Sequence, residues 1–378
     1  MVLVESGMEV TLTIPLILLL CWFRLRPRFQ WTAATATSYG LLSALLVLSR
    51  LDAVLFVCTL FLLELMLDRP KSARDWSLRG CTAAAAAIPL TLYALFNHFT
   101  FHVWMPISGQ AKELRLHHSI TLNTLSNMLD RIGFSYRFLI VYPSLLVVLF
   151  CVVACFKPGK SPLHRSNIVV SLSLIVFPFL QIVAFAATSD WPIWPWYLYT
   201  FPMAMAGAFL LVCDRYPTSQ AFAKRDVAFV AQGAVILLGF TVAAFITVAP
   251  PDTVADNIEL FSRTHDGIYA MGDCAGTTGY MIRQPLVQLE GLVMDAPFLQ
   301  NIREQRNLNQ VLKNYDVRYY VAIDAVKVGQ CYDTTEPAKA GPDSPHMHGS
   351  FCQPPIATYR YVNGTVNIFD LGANPPKS

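Results

Sequence analysis

The chain has 378 residues, 54% of them hydrophobic, with a positive mean hydropathy and a net charge of +3. That is far more apolar surface than one soluble core can bury, so lipid is part of the solvent. The positive charge is scattered over short turns, which makes it a membrane-sorting signal and argues against a nucleic-acid footprint.

Eight apolar runs follow in chain order, at about 8–23, 32–49, 51–68, 80–98, 138–156, 168–188, 196–213 and 227–249. Backbone amides find no water inside a bilayer, so each run is read as a helix that satisfies its own hydrogen bonds. A tight turn at Ser49-Arg50-Leu51-Asp52 separates the second run from the third. Basic residues fall in alternate gaps: Arg24, Arg26 and Arg28; Arg69, Lys71, Arg74 and Arg79; Lys157, Lys160 and Arg165; Arg215, Lys224 and Arg225. Those gaps are assigned to the cytoplasm, and the remaining connections and both termini to the outer side. An outward start with no basic n-region leads us to expect a further part of the architecture upstream.

The outward connection 99–137 is long enough to be functional. It contains Met105 to Lys112, then His117 and His118, then Leu122, Leu125, Leu129 and Ile132 at the spacing of a helix lying flat in the interface. The connection Ser189 to Tyr197 gathers Trp191, Trp194, Trp196 and Tyr197 around Asp190. Two readings fit it: an aromatic belt at headgroup level, or a sugar platform on which indole faces stack while Asp190 accepts hydroxyl protons. Arg50 and Asp52 also admit two readings, a mutual pair or a cation that joins Lys112 in neutralising a lipid phosphate. Glu5 and Glu9 flank the first run at the same face, where a carboxylate could deprotonate an acceptor hydroxyl.

From Pro250 the composition becomes that of an ordinary globular domain, which divides the chain into a transmembrane region, 1–249, and a soluble α/β domain, 250–378. Short strands are expected at Ile268–Met271, Leu286–Leu289 and Arg318–Ile323, with helical stretches from Asp295 to Tyr315. A hairpin is expected from Tyr359–Val362 and Thr365–Phe369 across Asn363-Gly364. Pro337 to Pro355 reads as a proline-rich loop. Six cysteines lie in or beside apolar helices as small hydrophobes. In an oxidising compartment Cys331 and Cys352 are expected to pair, leaving Cys274 over. His346 and His348 with those two cysteines could ligate a metal, but a disulfide-closed loop is the preferred reading, so no metal is expected. Gly272, Gly276 and Gly279 lack the spacing of a dinucleotide or P-loop fingerprint.

Taken in order, Ser6-Gly7-Met8-Glu9, Ser49-Arg50-Leu51-Asp52, Pro106 to Lys112, and the pattern Gly272-Asp273, Gly276, Gly279-Tyr280, Glu290-Gly291-Leu292 and Asp295 resemble bacterial GT-C glycosyltransferases. The closest group in appearance is the arabinofuranosyltransferase-like and mannosyltransferase-like set with a carboxy-terminal extracytoplasmic domain. The resemblance covers nearly the whole chain. It implies a polytopic α-helical membrane protein of about eight transmembrane helices with a C-terminal extracytoplasmic α/β domain, in a bacterial inner membrane. It further implies an inverting transfer of sugar from a polyprenyl-phosphate donor to an envelope glycan, lipid or protein acceptor, with no other cofactor.

Mapped here, Arg50 and Lys112 would hold the donor phosphate, and Asp190 with Trp194 and Trp196 would border the sugar. The family's principal catalytic aspartate sits in a first outer loop upstream of this sequence, so no position takes that role directly. Glu9, Asp52 and Asp190 stand as candidate carboxylates. The rival is a non-catalytic membrane protein whose tail binds glycan or another envelope component. A transporter is disfavoured, because no internal repeat is visible and almost no charge falls mid-span.

Overall fold

The computed structural model describes residues 10–27, 29–116, 132–133, 136–156, 163–215, 253–361 and 364–372. The expected run at 227–249, the interfacial helix through Leu122 and Leu129, His117 and His118, Glu5 and Glu9 lie outside the described residues. The chain divides into two units: a helical unit of 1–96, 121–186 and 193–248, and a second unit of 97–120, 187–192 and 249–378.

The helical unit is built from α1 (Val10–Leu25), α2 (Ala33–Ser49), α3 (Val54–Leu67), most of α4 (Ala73–Phe101), α6 (Tyr142–Phe156), α7 (Arg165–Thr188) and α8 (Thr200–Arg215). A π turn over Arg137–Val141 runs into α6, so that Arg137–Phe156, α4 and α7 are three helices long and apolar enough to cross a membrane. α1 and α2 are apolar but shorter. Only 17% of the most apolar window of α4 is buried, and Ile88, Leu92 and Phe96 stand exposed along it, a surface that lipid and not water suits. Membrane association follows from these helices.

α2 starts at a capping box, in which Thr32 and Thr35 each accept from the other's backbone N–H. It stops where Arg50 turns extended (φ −163°), and a 3₁₀ turn over Leu51–Ala53 leads into α3. Small residues let the helices approach: a side chain at Gly40 would collide with the Thr82 carbonyl on α4, and one at Gly207 with Leu174 and the Ser171 carbonyl on α7. Leu20, Tyr39, Phe56, Leu60 and Phe177 fill the main core between them.

The second unit adds α9 (Thr253–Ser262), β1 (Tyr269–Met271), α10 (Ala275–Met281), β2 (Leu286–Gln288), α11 (Ala296–Arg303), α12 (Leu308–Asn314) and β3 (Tyr319–Ile323). It continues with β4 (Val326–Val328), β5 (Cys331–Glu336), β6 (Met347–Phe351), β7 (Ala357–Tyr361) and β8 (Gly364–Asp370). One sheet has the order β2-β1-β3-β8-β7; β1 is parallel to β2 and β3, and β8 is antiparallel to β3 and β7. The expected hairpin is present, with Tyr361 opposite Gly364.

The second sheet, the antiparallel meander β4-β5-β6, was not anticipated: β6 occupies part of the stretch read as a proline-rich loop. Its Met-His-Gly-Ser-Phe sequence buries only alternate residues, two of them large, too weak a pattern to mark a strand. The Cys331–Cys352 disulfide closes this meander. A short α5 (Ile107–Lys112) belongs to this unit, where Ile107, Ala111 and Leu114 pack into the core formed by Phe298, Leu299 and Ile302.

Candidate functional site

In the helical unit, the break between α2 and α3 places a charged pair within two residues. Arg50 Nε donates to Asp52 Oδ1 at 2.9 Å, and the Arg50 side chain is 9% exposed. The other Asp52 oxygen accepts from Gln181 Nε2 of α7 at 2.6 Å, and Gln181 Oε1 accepts from the Thr200 hydroxyl at 2.9 Å. The result is a largely buried polar chain linking the α2–α3 break, the body of α7 and the start of α8. Aromatic rings cover the cation: the Arg50 guanidinium lies 4.4 Å from the Tyr197 ring centre and 5.5 Å from that of Tyr199. The Tyr199 hydroxyl is buried with no hydrogen-bond partner among the described residues. Trp194 and Trp196 stack on each other, 5.2 Å apart and 5° from parallel, which leaves each indole one outer face.

Asp190 and Lys112 belong to the second unit. Asp190 is 2% exposed; its Oδ2 accepts the Asp343 N–H at 2.8 Å and its carbonyl accepts the Gly341 N–H at 3.0 Å. A side chain at Gly341 would run into the Asp190 carboxylate, so glycine is required at that contact. Arg115 ties the same loop, with Nη2 3.4 Å from Asp343 Oδ2 and Nη1 donating to the Ala187 carbonyl at 3.3 Å. Asp190 thus anchors the Gly341–Asp343 loop. Lys112 closes α5 and acts electrostatically on Glu290.

Glu290 belongs to a carboxylate cluster that sequence reasoning did not single out as a site. The sheet order puts β1 between its parallel neighbours β2 and β3, and loops past the carboxyl ends of parallel strands are where α/β sheets commonly hold ligands. Asp273 follows β1 and Glu290 follows β2. Glu336, at the end of β5, is 3% exposed; Oε1 accepts from the Tyr320 hydroxyl at 3.1 Å and Oε2 from the Ala338 N–H at 3.3 Å. The Glu336 carboxylate fills the space where a side chain at position 272 would lie, which is the reason for Gly272. A buried carboxylate against that glycine also disfavours a phosphate cradle there.

Burial pushes the Glu290 carboxyl up to about 7, helped by the like charge of Asp273 and opposed by Lys112, Gln288 and Lys339. Burial likewise pushes Glu336 up to about 8, with the Tyr320 hydrogen bond opposing and Glu290 reinforcing the rise. Of the two, Glu290 is the partly exposed one, and a carboxyl that exchanges its proton near neutrality there is able to take a proton from, or return one to, a hydroxyl. The signal for Glu290 lay in its place just past a strand. Glu336 carried none, since its strand Cys-Tyr-Asp-Thr-Thr-Glu shows no apolar inner face.

Sequence reasoning also passed over Glu64, which is fully buried on α3 and bonded to Arg24. The disulfide takes up Cys331 and Cys352, and both His346 ring nitrogens lie 3.1 Å from the carbonyls of Pro337 and Gly341. No family model, curated protein or solved structure matches the chain.

Proposed function

We propose that this chain is a membrane glycosyltransferase of the GT-C type that moves a sugar from a polyprenyl-phosphate donor to an envelope glycan, lipid or protein acceptor. In this reading it has eight spans in a bacterial inner membrane, and residues 250–378 lie on the periplasmic side. The observation that carries it is the buried Arg50 guanidinium at a helix break, flanked by Tyr197 and Tyr199, with stacked Trp194 and Trp196 on the same connection. A cation stabilises the charge that grows on a leaving phosphate, and aromatic faces suit the C–H faces of a sugar ring. Asp52 would act as the base through a remaining lone pair, since each of its oxygens already accepts one hydrogen bond.

The test is transfer from polyprenyl-phosphoryl arabinofuranose or mannose by the purified chain in lipid. Arg50→Lys keeps the charge beside Asp52 and loses the planar fork, so transfer should fall about a hundredfold with insertion unchanged. A full rate in Arg50→Lys would remove the phosphate assignment. The engagement of Asp52 and Asp190 by other protein groups favours a second reading, a non-catalytic membrane protein with a glycan-binding extracytoplasmic domain. That reading requires glycan binding without turnover.

A further inference from the structure

A second polar corner of the helical unit lies at the opposite end of α2 from Arg50, about 25 Å away along a helix of 17 residues. It is formed by Arg24 at the end of α1, Trp31 just before α2, Glu64 and Asp68 at the end of α3, and Arg79 in the second turn of α4. Arg24 donates Nε to Glu64 Oε1 and Nη2 to Asp68 Oδ2. Arg79 spends only Nη2, on the Asp68 side chain at 3.2 Å and its carbonyl at 3.4 Å. The Arg79 side chain is 8% exposed, yet its Nε and Nη1 have no hydrogen-bond partner among the described residues. Its guanidinium lies 3.4 Å from the Trp31 ring centre, and the Trp31 indole N–H is likewise buried without a partner.

Unspent donors on an always-charged, buried group are costly and call for an acceptor. Glu64 Oε2 is the one buried unspent acceptor in this corner among the described residues, against three buried unspent donor nitrogens, while the Asp68 side chain, 37% exposed, gives one oxygen to both arginines. The α2 amino terminus adds more donors, because the first-turn N–H groups of Ala33 and Ala34 have no acceptor within the helix and the helix dipole is positive there. Thr32, Ala33 and Ala34 are exposed, so the corner opens outward beside Trp31. Arg26, Arg69, Lys71 and Arg74 occupy the adjoining turns and draw anions toward it.

We propose that the α2 amino terminus, Trp31 and Arg79 form a binding site for a phosphate group, separate from any donor site at Arg50. The phosphate oxygens would accept from Arg79, from the indole N–H and from the first-turn amides, the combination that makes helix amino termini anion sites. An anionic phospholipid headgroup and free inorganic phosphate share this chemistry.

The experiment uses the purified full chain in neutral detergent and measures binding of phosphatidylglycerol and, separately, of inorganic phosphate by native mass spectrometry and by the shift in melting temperature. Arg79→Lys keeps the charge facing Asp68 but removes the fork, and Trp31→Phe keeps the ring but removes the N–H. Binding is expected to weaken at least tenfold in Arg79→Lys and about threefold in Trp31→Phe, while Lys327→Gln, on an exposed strand of the second unit, stays within twofold of the parent. Binding of phosphatidylglycerol alone assigns the site to a lipid headgroup, and binding of both assigns it to phosphate in general. The proposal is overturned if neither ligand binds, or if Trp31→Phe and Arg79→Lys bind as the parent does. Should Arg79→Lys fail to fold, Trp31→Phe decides alone.

Discussion

Glu64 in the helical unit and Glu336 in the second unit are equally inaccessible, and each has a tyrosine hydroxyl within reach. Glu64 is matched by the Arg24 guanidinium, with Asp68 and Arg79 extending the network. Glu336 has no ion pair among the described residues; its partners are the Tyr320 hydroxyl and the Ala338 amide. The difference follows from the surroundings. A charge among lipid-facing helices needs a fixed counter-ion, because neither water nor a mobile ion reaches it at low cost. A carboxyl inside the α/β unit has another course, which is to keep its proton, and Glu336 and Glu290 are placed to do so.

The largest effect should come from breaking the charge match of the helical unit. Arg24→Ala leaves Glu64 buried without its cation and should lower stability by about 3–5 kcal/mol, whereas Arg24→Ala combined with Glu64→Ala should cost clearly less. Melting of the full chain in detergent measures both, and equal losses would mean that the pair carries no coupling. Next comes the covalent restraint of the second unit. Replacing Cys331 and Cys352 by serine opens a loop of 21 residues and should cost about 3 kcal/mol, a loss that reductant should reproduce in the parent.

The smallest and most specific effect concerns pH. The folded Glu336 carboxyl holds its proton up to about 8 against an ordinary 4.5, so its contribution to stability is complete below about 4.5 and is lost as pH rises through about 8. Glu336→Gln imitates the protonated group. It should flatten this dependence and gain on the order of 1–3 kcal/mol over the parent at pH 9. Parallel pH profiles for parent and variant would show that Glu336 is already ionised in the fold, and would erase the contrast with Glu64.

Much of this contrast was invisible in the sequence because its partners are distant along the chain. Arg50 and Asp52 are two residues apart and legible as a pair, but Gln181 and Thr200, which complete the chain, are not adjacent to them in sequence. Asp190 looked like a sugar contact because it sits among tryptophans. Its carboxylate also receives the backbone N–H of Asp343, 153 residues away, which nothing beside Asp190 in the sequence announces. Arg24 and Glu64 are 40 residues apart, and nothing in the local pattern of either helix announces the other.

Among the described residues, the sequence by itself determined where apolar helices fall, that an α/β fold follows them, and that Tyr359 to Phe369 folds back as a hairpin. Period, run length and turn chemistry are local, and backbone hydrogen bonding makes them sufficient. It also singled out the two cysteines that join. Only the tertiary structure decided which carboxylates share a cation and which keep a proton, that α5 packs with the second unit, and that a three-stranded meander carries Glu336. Those outcomes depend on which surfaces exclude water together, a property of the packed chain that no single stretch of residues contains.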